Sequence, residues 1–214
     1  IIGHADLTLG DAVQPVLEAL ISAGNGRLRG VRHGALWDGG NAANASRRQV
    51  PRHLMLAPEY RRGLSRLQPL GLSFDASLFH PQLPDLVDLL HAFPDLNVIL
   101  DHAGGVLGVP PHDRHEDVFA IWRGHIRELA QFANLSVKIG GFGMPRCGWD
   151  FHRRDIPPSS EELAVAWRPY VETCIEAFGT ERCMMESNFP VDKQSCGYGV
   201  LWNAMKRITQ GCSA

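Results

Sequence analysis

The stretch VILDHAGG, Val98 to Gly105, decides the fold. Val98-Ile99-Leu100 is apolar on both faces, as expected of a parallel strand covered by helices rather than one with a wet side. The run then stops at Asp101-His102, and two glycines turn the chain. A charged side chain inside a parallel sheet is costly unless it is paired or hydrated. This strand is therefore read as core up to Leu100 and as part of a site from Asp101 onward.

The same pattern recurs on both sides. IIGHADL (1–7), LRGVRHGALW (28–37), LGLSFDASL (70–78), NLSVKIGG (134–141) and RCMMESNFP (182–190) are further strand candidates. Between them lie helical spacings over Asp11–Ala23, Pro58–Leu67, Pro84–Ala92, Val118–Phe132, Ser159–Phe178 and Val200–Ile208. Ser159-Ser160-Glu161-Glu162 reads as a helix start, because a hydroxyl there caps free backbone N–H groups, and Gly179 reads as its stop. Residues 39–53, 104–117 and 143–160 read as loops. Six strands alternating with helices make an α/β fold of one domain over 1–214. Two architectures compete, an open doubly wound sheet and a (β/α)8 TIM barrel lacking two units. No Gly-x-Gly-x-x-Gly turn follows the first strand, so a dinucleotide-binding sheet loses support and no nucleotide cofactor is expected.

Polar residues gather at the strand ends: His4 and Asp6, Arg32 and His33, Asp75 and then His80, Asp101 and His102, Lys138, and Glu186 with Asn188. In a barrel these ends converge on one face, where barrel sites are built. His112 and His115 have a chelating spacing, but flanking prolines favour a solvent-exposed loop. Trp122, Trp167 and Trp202 fall in helical segments and read as core. The net charge is −2 with no basic block, which argues against a nucleic-acid partner. No apolar run approaches the ~18–20 residues that span a bilayer. Five cysteines without a C-x-x-C pair fit reduced thiols in the cytoplasm better than a disulfide framework.

With these residues in place, the chain resembles the amidohydrolase superfamily, in its amidohydrolase-2 branch of metal-dependent-hydrolase-like TIM barrels that includes 2-pyrone-4,6-dicarboxylate lactonase and sugar-lactone hydrolases. The resemblance is carried by LRGVRHGALWD (28–38), LSFDASLFHPQLPDLVDLLHAFPDLNVILDHAGG (72–105), NLSVKIGGFGM (134–144) and ERCMMESNFPVDK (181–193). It implies that the six strands are the third to eighth of a barrel, in a fragment that lacks two N-terminal units and a final helix. Exposed edges and poor solubility of the isolated fragment would follow.

The resemblance also implies roles. His102 matches the histidine that binds metal, zinc for instance, or polarises the substrate carbonyl in metal-free lactonases. Position 188 matches an acid in the pattern Ser-Asp-x-Pro, and here Ser187-Asn188-Phe189-Pro190 departs from it. An amide cannot act as a general base, so Glu186 is the expected replacement, with Asp192 also near. Arg32 and Lys138 are expected to hold a substrate carboxylate, with His33 and Asp75 beside them, while Lys138 taken alone also reads as a buried salt-bridge partner. Asp75 and Asp101 are also expected to orient a histidine or water. The expected activity is hydrolysis of a small carboxylated lactone or related cyclic ester or amide. The alternatives are a decarboxylase-type lyase and a catalytically silent ligand-binding barrel.

Overall fold

The computed structural model describes residues 1–39 and 50–212, so most of the polar loop expected over 39–53 lies outside the described residues. Among the described residues six short strands form one parallel sheet: β1 (Ile2–His4), β2 (Gly30–Arg32), β3 (Ser73–Ala76), β4 (Val98–Leu100), β5 (Leu135–Ile139) and β6 (Cys183–Met185). Their spatial order is their chain order, each strand pairing with the next. A doubly wound sheet reverses strand order at a switch point. Here there is no reversal, so the sheet is the wall of a barrel. β1 and β6 each keep one edge unpaired among the described residues.

Helices cover the outer face: α1 (Gln14–Gly24), α2 (Pro58–Leu64), α3 (Leu83–Ala92), α4 (His115–Leu129), α5 (Ser160–Phe178) and α6 (Tyr198–Ile208). The α5 start is built as the sequence predicts. Ser159 Oγ accepts from Glu162 N–H at 3.2 Å, and the Glu162 carboxylate accepts from Ser159 N–H at 2.8 Å. Gly179 ends the helix at φ 73°. The first helix differs, since Leu7–Val13 forms a tighter 3₁₀ segment before α1 begins at Gln14.

Alternation along β5 sorts its side chains. Leu135, Val137 and Ile139 are fully buried under the helices, whereas Ser136 and Lys138 face the concave side. Trp122 and Trp167 fill the outer layer as expected, and Trp202 is half-buried at its rim. Burying side chains of this kind stabilises by ~1.5–3 kcal/mol each.

Register carries the parity across the sheet. Arg32 lies opposite Asp75, Asp75 opposite Ile99, Ile99 opposite Ser136, and Lys138 opposite Met184. Two residues on from Ile99 is Asp101, and two on from Met184 is Glu186. Arg32, Asp75, Asp101, Lys138 and Glu186 therefore share the concave face at the carboxyl end of the strands.

VILDHAGG turns there by a left-handed step. His102 and Ala103 adopt φ 54° and 49°, a region non-glycine residues seldom occupy. Gly105 continues the turn at φ 59°, where a Cβ would stand 2.0 Å from the Leu78 carbonyl oxygen. Trp122 holds the turn from outside, its indole N–H donating to the Ala103 carbonyl at 2.7 Å.

Candidate active site

Two polar clusters occupy the concave face. The first joins Arg32, Asp75, Asp101 and Lys138. Arg32 Nη2 donates to Asp75 Oδ2 at 3.2 Å and to Asp101 Oδ1 at 3.0 Å. Its Nε lies 2.8 Å from Asp101 Oδ2, a charge contact off the line a hydrogen bond needs. Lys138 Nζ donates to Asp101 Oδ1 at 3.0 Å and also to Asp75 Oδ2. Both aspartate side chains are wholly buried and face two cations, Lys138 mostly buried and Arg32 partly exposed. Burial pulls the Lys138 ammonium down, but Asp75 and Asp101 more than offset it and hold the group above its ordinary value.

The second cluster starts at His102. Glu186 Oε1 sits 2.5 Å from His102 Nδ1 and also accepts the His102 backbone N–H at 3.1 Å. A carboxylate accepting both bonds places the ring proton on Nδ1 and leaves Nε2 as the reactive nitrogen. Both side chains are mostly buried. Next to them Asn188 Nδ2 donates to Asp192 Oδ1 at 2.7 Å. Asp192 has no exposed surface, and burial pushes its carboxyl up to about 6 despite the hydrogen bonds from Asn188 and Gly143.

A cleft of about 990 Å³ runs along the unpaired edge of β1, lined by His4, Asp6, Arg32, His33, Leu54 and Ser77 among others. His102 does not line it. Arg32 is the link, half in the cleft and half in the buried network that ends at Asp101. His33 accepts the Leu7 backbone N–H on Nδ1 at 3.0 Å, so its proton is on Nε2, and Tyr60 Oη donates to its carbonyl at 2.8 Å.

The amidohydrolase family model matches residues 1–214, the full length of the chain. The chain belongs to the amidohydrolase family. Among curated relatives, the uncharacterised protein y4mH of Sinorhizobium fredii is 40% identical over 156 residues, 73% of this chain and 46% of its own. An L-fucono-1,5-lactonase of Burkholderia multivorans is 28% identical over 153 residues, 70% of this chain and 48% of its own. The chain thus spans about half the length of the curated relatives it matches. Crystal structures of an amidohydrolase from Burkholderia multivorans, one with bound HEPES and one with bound zinc, superpose with TM-scores of 0.76 and 0.75 at 23% identity. They cover all of this chain, which in turn covers 67% and 66% of theirs, and they support the barrel-wall fold.

The described residues do not by themselves make up a zinc site. No group of three or more His, Cys, Asp or Glu side chains among them could hold a metal ion. His102 offers Nε2, Glu186 is bound to the same ring, and Asn188 is a neutral amide turned onto Asp192.

The strand-end residues divide cleanly. Arg32, Asp75, Asp101 and Lys138 form one network; His102 and Glu186 pair directly, and Asn188 joins them through Asp192, which lies within charge range of both. His80 stands apart. It is buried, accepts the Leu107 N–H at 3.1 Å, and burial pulls its imidazolium down to about 3. His112 and His115, expected in solvent, are half-buried, with their rings 5.1 Å from His80 and 5.1 Å from Trp149 respectively. Sequence reasoning missed Tyr60 under His33 and the bond from Asn188 to Asp192. The four-residue spacing of the latter pair was the available signal.

Proposed function

We propose that this amidohydrolase hydrolyses a lactone, with His102 moving the proton. The observation that carries the reading is the 2.5 Å contact between Glu186 and His102 Nδ1. A base oriented by a third group is the arrangement that activates a nucleophile in acyl transfer. Water adds to the lactone carbonyl carbon, and its proton passes to His102 Nε2. The tetrahedral oxyanion then collapses, the ring C–O bond breaks, and the departing oxygen takes the proton from Nε2. The product is a hydroxy acid.

Glu186 enters this reading as the group that orients His102 and stabilises its imidazolium, rather than as an independent base beside position 188. Arg32 and Lys138 already face Asp75 and Asp101, so neither is a free counter-charge for a substrate carboxylate. This supports a lactone whose polar groups are hydroxyls, and the lactonase named among the relatives points the same way. Five free cysteines suit a reducing compartment such as the cytoplasm.

The test is acid release from L-fucono-1,5-lactone and simpler δ-lactones, followed with a pH indicator. His102→Ala should lower turnover ~10²–10⁴-fold, the usual worth of a general acid–base group, with the circular dichroism unchanged. Undiminished turnover would remove His102 from the reaction.

A further inference from the structure

We propose that Asp192 is a positioning residue of this site, fixing the polarity of the Asn188 amide so that Asn188 presents its carbonyl oxygen beside His102. The role of the presented oxygen rests on the lactonase reading, whereas the lock itself does not.

An amide can be seated either way round, and only its partners decide which. Here the partner is a carboxylate, which accepts and does not donate when ionised. Nδ2 must therefore face Asp192 Oδ1, at 2.7 Å. The second carboxylate oxygen is occupied by the Gly143 backbone N–H at 2.9 Å. Asp192 is thus held from both sides and has no freedom to turn.

The surroundings enforce this seat. Asn188 sits at φ 50°, and its carbonyl accepts the N–H groups of Val191 at 2.8 Å and Asp192 at 3.2 Å. Ser195 Oγ donates to the Gly143 carbonyl at 2.5 Å, and Ser195 N–H donates to the Asp192 carbonyl at 3.0 Å. A Cβ at Gly143 would stand 2.9 Å from Asp192 Cγ and Oδ2, so the loop after β5 approaches this carboxylate as closely as only glycine allows. What remains is Asn188 Oδ1. No described residue donates to it, and it is not shut away from solvent. It is an acceptor of fixed direction, suited to a water or a substrate hydroxyl.

A double-mutant cycle at pH 8 tests the lock through the unfolding equilibrium. Asn188→Asp sets two carboxylates at hydrogen-bond distance and should lower the unfolding free energy enough to shift the equilibrium at least tenfold. Adding Asp192→Asn exchanges donor and acceptor and should recover most of that loss. If Asn188→Asp does not fold, a folded double variant supports the lock and an unfolded one overturns it. Additive effects of the two substitutions also overturn it.

Asp192→Asn alone tests the positioning. The Asn188 side-chain amide protons should lose their hydrogen-bonded chemical shift and their protection from exchange with solvent, moving to the positions of a free amide, and kcat on the lactone should fall tenfold or more with KM nearly unchanged. Unmoved amide resonances, or a wild-type kcat, would overturn the proposal. If the wild-type protein hydrolyses no lactone, the lactonase reading fails, while the cycle and the amide spectrum still decide the lock.

Discussion

Lys138→Met is the most direct probe of the buried charge network. Lys138 Nζ bonds both Asp75 and Asp101, whose side chains have no exposed surface. Removing the ammonium turns a neutral group of four into a buried group carrying one net negative charge. Asp75 Oδ1 already lacks a hydrogen-bond donor among the described residues, so nothing nearby takes over. Breaking a buried ion pair from one side typically costs about 3–5 kcal/mol. Arg32 still touches both acids and is about a third exposed, which places the cost at the lower end, ~3 kcal/mol. In a chain of this size that is a Tm lower by roughly 6–12 °C.

Urea denaturation read by far-ultraviolet dichroism and tryptophan fluorescence measures the cost. Adding Asp75→Asn restores neutrality and should return at least ~1 kcal/mol, because it removes the acid left uncompensated. The deficit should also shrink as pH falls. Burial already raises the Asp101 carboxyl against the pull of Arg32 and Lys138, so losing Lys138 raises it further, and a carboxyl raised on folding stabilises at low pH and loses that contribution as pH rises. A Lys138→Met variant within ~0.5 kcal/mol of wild type, with Asp75→Asn simply additive, would show that these charges are hydrated rather than mutually dependent.

Two further outcomes follow from the titratable groups. Burial lifts Asp192 from 3.8 to about 6, so its contribution is full below the lower value and is lost as pH rises through the upper one. That is ~3 kcal/mol at ~1.4 kcal/mol per pH unit. Urea midpoints at pH 4 to 7 should therefore slope downward more steeply in wild type than in Asp192→Asn, and equal slopes would refute the assignment. Among the cysteines, Cys147, Cys174 and Cys196 are buried, Cys183 is half-buried, and Cys212 is exposed. Burial pushes the Cys147 thiol up to about 12 and Cys183 and Cys196 to about 11. Ellman's reagent should label Cys212 rapidly in the native protein and the others on unfolding; several fast native thiols would contradict this packing.

The order of strands and helices was legible because apolar patterning is a local property. Val98-Ile99-Leu100 announces a two-sided strand, and Leu135, Val137 and Ile139 announce which face meets the helices. Parity then carries Lys138 and Glu186 to the concave side without knowledge of the tertiary structure. Which acids meet Arg32 and Lys138 was not legible, since the register that sets Asp75 and Asp101 between them comes only with the sheet. Glu186 looked like a base because sequence distance places it near 188. Its rotamer is decided by the left-handed turn at His102, which brings both the ring and the backbone N–H within reach of one carboxylate oxygen. His80 misled for the reverse reason. A histidine after a strand end resembles a site residue until its nitrogen is seen to accept the Leu107 N–H of a neighbouring loop.

Asparagine at 188 and aspartate at 192 make sense only together. Glu186 already stands against His102, and Asp192 is buried close by. An acid at 188 would put a third carboxylate into the same low-dielectric space, within hydrogen-bond distance of Asp192. Like charges so close cannot both ionise, so one would hold a proton at neutral pH. With an amide at 188 the conflict disappears. Asp192 meets two N–H donors, Glu186 remains against the His102 ring, and the acceptor left at position 188 is a neutral oxygen. Such an oxygen orients a hydroxyl or a water without taking its proton, which leaves proton transfer to His102 Nε2.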